Sequence, residues 1–338
     1  MAVKRKIFKT VLFILGLLAG GGLFFFLLWR TGISNVIDSL LAFGILPLLL
    51  YFGISILNFS LYSLRWKIIL DAMLPKGERV SYGKMFMNRM SGFAAGYLTP
   101  GAQVAGEPIR VAMLLADGVS GKVATGSVVL DLAFEVTTFV IYVALGLGFA
   151  LTHGLANSSG VTGSIIFISA LLIILIGFFV MTIRGGGFFH KLMRVSQLSR
   201  IKTINNLEHW LIETEALMSE FFVGRLKVVA TVVGLSFIMA MFKAVEAIYI
   251  AHFLGVNVKL SDAFLMSTLP GVSLLLPVPA GLGVYEGSNE AMFSVLGLPI
   301  NAVAYTVIIR MRDFVFIGIG VTYAIIHSER LVTRRYGK

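Results

Sequence analysis

Long apolar runs alternate with short polar connections along this chain, and the length of the runs decides what they face. A helix needs about 20 consecutive, mostly apolar residues to cross the hydrocarbon of a bilayer. Six stretches reach that length, at roughly 8 to 29, 41 to 64, 123 to 152, 161 to 183, 226 to 254 and 300 to 327. Two further regions are apolar but broken. Residues 81–95 and 106–117 flank LTPGAQVAGEPIR (Leu98 to Arg110), and residues 261–276 and 286–297 flank LPVPAGLGVYEGSNE (Leu276 to Glu290). Pro100, Gly101 and Gly106 interrupt the first, and Pro277, Pro279, Gly281 and Gly283 the second. Lipid satisfies no free N–H or C=O group, so broken backbone at membrane depth must be covered by protein or line a wet cavity.

The pattern predicts an all-α polytopic membrane protein with about six full transmembrane helices and two re-entrant or broken helical hairpins. The first hairpin would enter from the cytoplasm and the second from outside, the inverted arrangement of discontinuous helices used by transporters. A pair of kinked helices that each cross fully would leave the termini on the same sides, so that alternative stays open. The first run follows Lys4, Arg5 and Lys6 but exceeds the apolar region of a signal peptide, and it reads as a retained anchor. In the cytoplasmic link at about 184–225 a helix is expected near Ile201 to Phe222, with Glu208, Glu213, Glu215 and Glu220 at its polar positions. Residues 1–338 read as a single integral membrane domain.

Composition agrees with this solvent. With 57% hydrophobic and 13% charged residues, the chain has too little polar surface for a soluble globule. The formal charge of +11 does not indicate nucleic acid, because Lys and Arg gather beside alternate ends of the spans. They lie in the N-terminal segment, in residues 65–89 (Arg65, Lys67, Lys76, Arg79, Lys84 and Arg89), in residues 184–227 and in the tail, while the connections between are nearly bare. Both termini are therefore expected in the cytoplasm, in an inner or plasma membrane. Cysteine is absent and the five histidines are scattered without ligand spacing, so neither metal nor cofactor is expected.

Charges inside the spans carry the chemistry, since each costs about 2.5 to 3.5 kcal/mol at a helix centre and needs a compensating reason. Asp131 and Glu135 are four apart and share a helix face. Lys243 with Glu246, and Arg310 with Asp313, are each spaced to pair along one helix. Glu107 opens a half-helix with Pro108 behind it, and Arg110 either pairs with Glu107 or receives an anionic headgroup. Glu286 begins the returning half of the second hairpin, where a carboxylate suits the helix dipole. Seven carboxylates (Glu107, Asp131, Glu135, Glu246, Glu286, Glu290 and Asp313) face four cations (Arg110, Lys243, Arg310 and Arg312), which leaves three acids to be protonated, hydrated or paired with a ligand.

Pro100-Gly101 followed by Gly106-Glu107 and Arg110, the later LPVPAGLGVYEG, and Arg310 in the last span resemble the flippase-like domain family, also called the lysylphosphatidylglycerol synthase transmembrane region. Leu64-Arg65-Trp66-Lys67 and the paired acids of the third span are similar to its layout, and the resemblance covers nearly the whole chain. Many members have Arg before the second-motif Glu; this chain has Tyr285, which argues against a local ion pair at Glu286. The third-span acids also appear as Asp131 then Glu135 rather than the reverse, and the soluble aminoacyl-transfer domain of the synthases is not expected. The resemblance implies a protein that moves, or holds for modification, a polar-headgroup lipid such as an aminoacyl-phospholipid, a glycolipid or a polyprenyl-phosphate-linked sugar.

On that reading the chain is a membrane lipid translocase rather than an enzyme, without catalytic residues. Glu107, Arg110, Glu286 and Arg310 would contact the headgroup, and Asp131, Glu135, Lys243, Glu246 and Asp313 would supply charge compensation or a proton route. Its partner would be membrane lipid, with a homodimer or a lipid-synthesis enzyme compatible with the sequence. Two other classes stay in play. One is a membrane-embedded enzyme or accessory subunit of lipid or glycolipid biosynthesis, with Glu107 as general base. The other is an ion-coupled transporter of a soluble solute.

Overall fold

In the computed structural model the described residues are 22, 25–99, 106–152, 159–185, 187–195, 205–273, 278 and 281–336. All regular structure among them is helical. Pro100, Gly101, Pro277, Pro279 and most of the 8 to 29 run fall outside them.

Helix α1 covers Ile33–Phe43 and α2 covers Ile45–Met73, separated by Gly44 at φ 78, a left-handed conformation that costs glycine little. The first hairpin is α3 (Tyr82–Leu98) and α4 (Glu107–Ala116), followed by α5 (Gly121–Thr152), α6 (Ser159–Ile183), the short α7 (Phe188–Val195) and α8 (Asn205–Phe222). Helix α9 (Leu226–Phe253) leads into the second hairpin, α10 (Leu260–Val272) and α11 (Val284–Val295), and α12 (Ala302–Tyr336) completes the series.

Four of these carry segments long and apolar enough to cross a membrane: Ile45–Met73, Gly121–Gly148, Ile166–Ile183 and Leu226–Phe253. The protein is thus a multi-pass membrane protein with an all-helical fold. Helix α12 is longer still, but Arg310, Arg312 and Asp313 interrupt its apolar run.

The expected second span ends at residue 64, whereas α2 continues to Met73 and buries Arg65 at 1% exposure. Arg65 and the buried Arg89 therefore do not belong with the flanking charges of residues 65–89. An apolar run seems to stop at its first charge when read as sequence, yet the helix goes on wherever a carboxylate from a neighbour neutralises that charge. The helix expected in the long link is present as α8. Its Glu215 is buried rather than solvated, and its Oε1 accepts the Phe189 N–H at 2.5 Å, which caps the start of α7.

Packing sets two apolar cores on either side of a polar layer. One gathers Trp66, Leu70, Val123, Phe134, Met218 and Phe221, and the other Tyr51, Ala244, Ile250, Phe264, Phe293 and Tyr305. Along α2 the polar residues Ser55, Asn58 and Arg65 fall between the two cores, near the middle of the spanning segment. The arms of the first hairpin meet backbone to backbone: a Cβ on Gly106 would strike the Gly92 carbonyl, and one on Gly92 would strike the Arg110 side chain. Helix α3 also packs closely on α12, where Ser91 Oγ donates to the Gly320 carbonyl at 3.0 Å. At the outer end of this hairpin Asp117 ties three elements together, meeting Lys84 Nζ at 2.7 Å, Asn88 Nδ2 at 2.8 Å and His327 Nε2 at 3.7 Å.

Candidate functional site

Both hairpins open onto one cavity of about 660 Å³. Residues of α2, α3, α4, α5, α9, α10, α11 and α12 line it, together with Phe167 and Leu171 of α6. Phe167 is also 49% exposed.

Charged groups occupy the cavity in two sets. In the first, Asp131 of α5 is fully buried and accepts from three guanidinium groups on three helices: Arg65 Nε at 2.8 Å, Arg89 Nη1 at 2.6 Å and Arg110 Nη2 at 2.5 Å. Glu135, one turn on, accepts from Arg65 Nη2 at 3.1 Å and Arg89 Nη2 at 2.5 Å, and Glu107 accepts from Arg110 Nη1 at 2.7 Å. Arg65 further donates to Ser236 Oγ of α9 at 3.2 Å. Aromatic faces complete the cradle, with the Arg110 guanidinium 4.1 Å from the Trp66 ring centroid and that of Arg89 4.9 Å from Tyr62. Three cations and three carboxylates thus balance.

In the second set Glu286, fully buried in the first turn of α11, accepts from Nε of Arg310 at 2.5 Å, with Nη2 of the same guanidinium at ion-pair distance, 2.5 Å from the same oxygen. Arg310 Nη1 also donates to Tyr97 Oη of α3 at 2.9 Å, so α12 joins the two hairpins through one guanidinium. Arg312 pairs with Asp313 at 2.8 Å and with Glu246 of α9 at 3.3 Å, and Glu246 accepts from Ser55 Oγ at 3.2 Å. Lys243 lines the cavity with its ammonium 5.8 Å from the Phe139 ring centroid.

Several expectations change. The pairing of Lys243 with Glu246 is not formed, and neither is that of Arg310 with Asp313; Arg312, between the two α12 residues, takes both Glu246 and Asp313. Glu286 is ion-paired despite Tyr285 before it, because its partner comes from α12 rather than from its own hairpin. Arg110 pairs with Glu107, and Asp131 is a second partner. Glu290 stands apart from the cavity, meeting Arg30 at 3.0 Å. The surplus of three acids disappears once Arg65 and Arg89 are counted and Glu290 is removed.

The break residues Gly281 and Gly283 adopt positive φ of 59 and 75, with Gly283 the residue preceding α11, while Gly106 is right-handed at the start of α4. Arg65, Arg89, Tyr97 and Arg312 are the cavity-lining side chains that spacing alone does not single out. Among the described residues no group of three or more His, Asp or Glu is arranged to hold a metal ion.

Such an arrangement offers polar and charged contacts in a chamber within apolar helices. The family described as the lysylphosphatidylglycerol synthase TM region matches residues 13–320. No curated protein and no solved structure matches the chain significantly.

Proposed function

Because the chain belongs to the lysylphosphatidylglycerol synthase transmembrane-region family, we propose that it is a translocase for a polar-headgroup lipid. The observation that carries this reading is a charge-lined cavity shared by both hairpins, with the half-exposed Phe167 in its lining. In this account the chain makes about six full crossings, the hairpins are re-entrant from opposite faces, and both termini lie in the cytoplasm of a cell with this protein in its inner or plasma membrane. The headgroup enters the cavity while its tails stay in lipid beside Phe167 and Leu171. Arg110, Glu107 and Arg310 contact the headgroup, and Glu286, which is buried behind Arg310, aims that guanidinium. Asp131 and Glu135 hold Arg65, Arg89 and Arg110 in place and keep the set neutral when a ligand group displaces Glu107 from Arg110. Aminoacyl-phospholipids, glycolipids and polyprenyl-phosphate-linked sugars all present a group that such a cavity accommodates.

The test is scrambling of tail-labelled fluorescent lipids in proteoliposomes. Wild type is expected to move lipid above empty vesicles, and Glu286→Gln and Arg110→Ala to slow it at least about tenfold, the effect of about 1.4 kcal/mol. Equal rates in all three, or none above empty vesicles, would remove the proposal.

A further inference from the structure

The cavity as a whole is neutral, but its charge is not evenly cancelled. Arg65, Arg89 and Arg110 balance Glu107, Asp131 and Glu135, and Arg310 balances Glu286. Two places remain. Lys243 has no carboxylate within 4.0 Å among the described residues, and Arg312 alone serves both Glu246 and Asp313. One spot is thus short of a negative charge and the other short of a positive one. Lys243 and Glu246 are three residues apart on α9, a rise of about 4.5 Å, with Lys243 leaning toward Phe139 and Glu246 turned toward Ser55 and Arg312.

We propose that these two spots divide a zwitterionic phospho-amine headgroup between them, Lys243 taking the phosphate and the Glu246 and Asp313 carboxylates the ammonium. A purely anionic headgroup would satisfy Lys243 and leave the Arg312 set with its excess carboxylate. A zwitterion satisfies both, since it brings one charge of each sign and its sum is zero, like that of the cavity. Like charges brought together in a low-dielectric cavity are the strongest source of discrimination available here. This deepens the lipid reading of the same cavity and rests on it for the source of the ligand.

Binding rather than movement is the measurement, so the two ideas fail separately. The full chain in mild detergent is examined by native mass spectrometry with dihexanoyl-phosphatidylethanolamine, dihexanoyl-phosphatidylglycerol and inorganic phosphate. Wild type is expected to retain the ethanolamine lipid at about one tenth of the concentration needed for the glycerol lipid or for phosphate, a difference of about 1.4 kcal/mol. Lys243→Gln should weaken both lipids about tenfold, Lys243→Arg should restore them, and Glu246→Gln should weaken only the ethanolamine lipid. The wild-type preference needs no variant to fold. Equal retention of the two lipids by wild type, retention of phosphate alone as strong as that of the ethanolamine lipid, or Lys243→Gln binding like wild type would overturn the inference. A protein that prefers the ethanolamine lipid but moves none would overturn the translocase instead.

Discussion

Glu286 and Arg310 lie 24 residues apart and meet through one carboxylate oxygen, which accepts from Nε of the guanidinium and has Nη2 at ion-pair distance. The same interval separates Glu107 from Asp131, and there Arg110 bridges the two carboxylates. Each hairpin is thus closed onto the helix that follows it by an arginine-centred contact, with the arginine on the following helix in one case and on the hairpin in the other.

If the Glu286 and Arg310 contact is a buried pair, removing one member leaves a bare charge and removing both does not. Glu286→Leu or Arg310→Leu alone should cost about 3–5 kcal/mol, and the double variant less than either. Thermal unfolding in detergent of the three proteins measures this, and a double variant as unstable as the sum of the singles would contradict it.

Asp131 and Glu135 are not equivalent. Asp131 is fully buried among three guanidinium groups, whereas the Glu135 side chain is 37% exposed. Asp131→Asn is expected to destabilise by about 3–5 kcal/mol and Glu135→Gln by about 1 kcal/mol. The ranking, read from melting temperatures, is the point at risk.

Gly106→Ala places a methyl group against the Gly92 carbonyl at the closest approach of the hairpin arms. Neither backbone can yield without moving its helix, so a loss of about 1–3 kcal/mol is expected. Gly83→Ala, where a Cβ meets nothing within 4 Å, is the control and should melt like wild type.

The absence of cysteine makes single introduced thiols unambiguous reporters. Thr138→Cys, in the cavity wall, should react with a small water-soluble maleimide, and Val128→Cys, 2% exposed in an apolar core, should not. With an impermeant reagent, Glu78→Cys and Asn257→Cys should label from opposite sides of the membrane. Labelling of both from the same side would contradict the proposed topology.

The all-helical, membrane-spanning character was legible because it depends on run length alone, and so was the family, whose motifs sit at the two breaks. Arg65 and Arg89 were not, since a cation beside an apolar run has the same appearance whether it flanks a span or is buried in one. Only the position of Asp131 across the bundle separates the cases. Helical spacing likewise suggested Lys243 with Glu246 and Arg310 with Asp313, but a pair along one helix competes with partners on neighbouring helices, and here Arg312 and Glu286 prevail. Tyr97 gave no sign in the sequence: an aromatic residue in an apolar helix is ordinary until Arg310 points at its hydroxyl.

Arg65, Arg89 and Arg110 converging on Asp131 also make the molecule mechanically lopsided. Swinging α3 and α4 away from α5 means parting the Arg89 and Arg110 tethers together, while freeing α11 from α12 parts the one between Glu286 and Arg310. The first hairpin is consequently held to the helix that follows it by two arginine tethers, and the second by one.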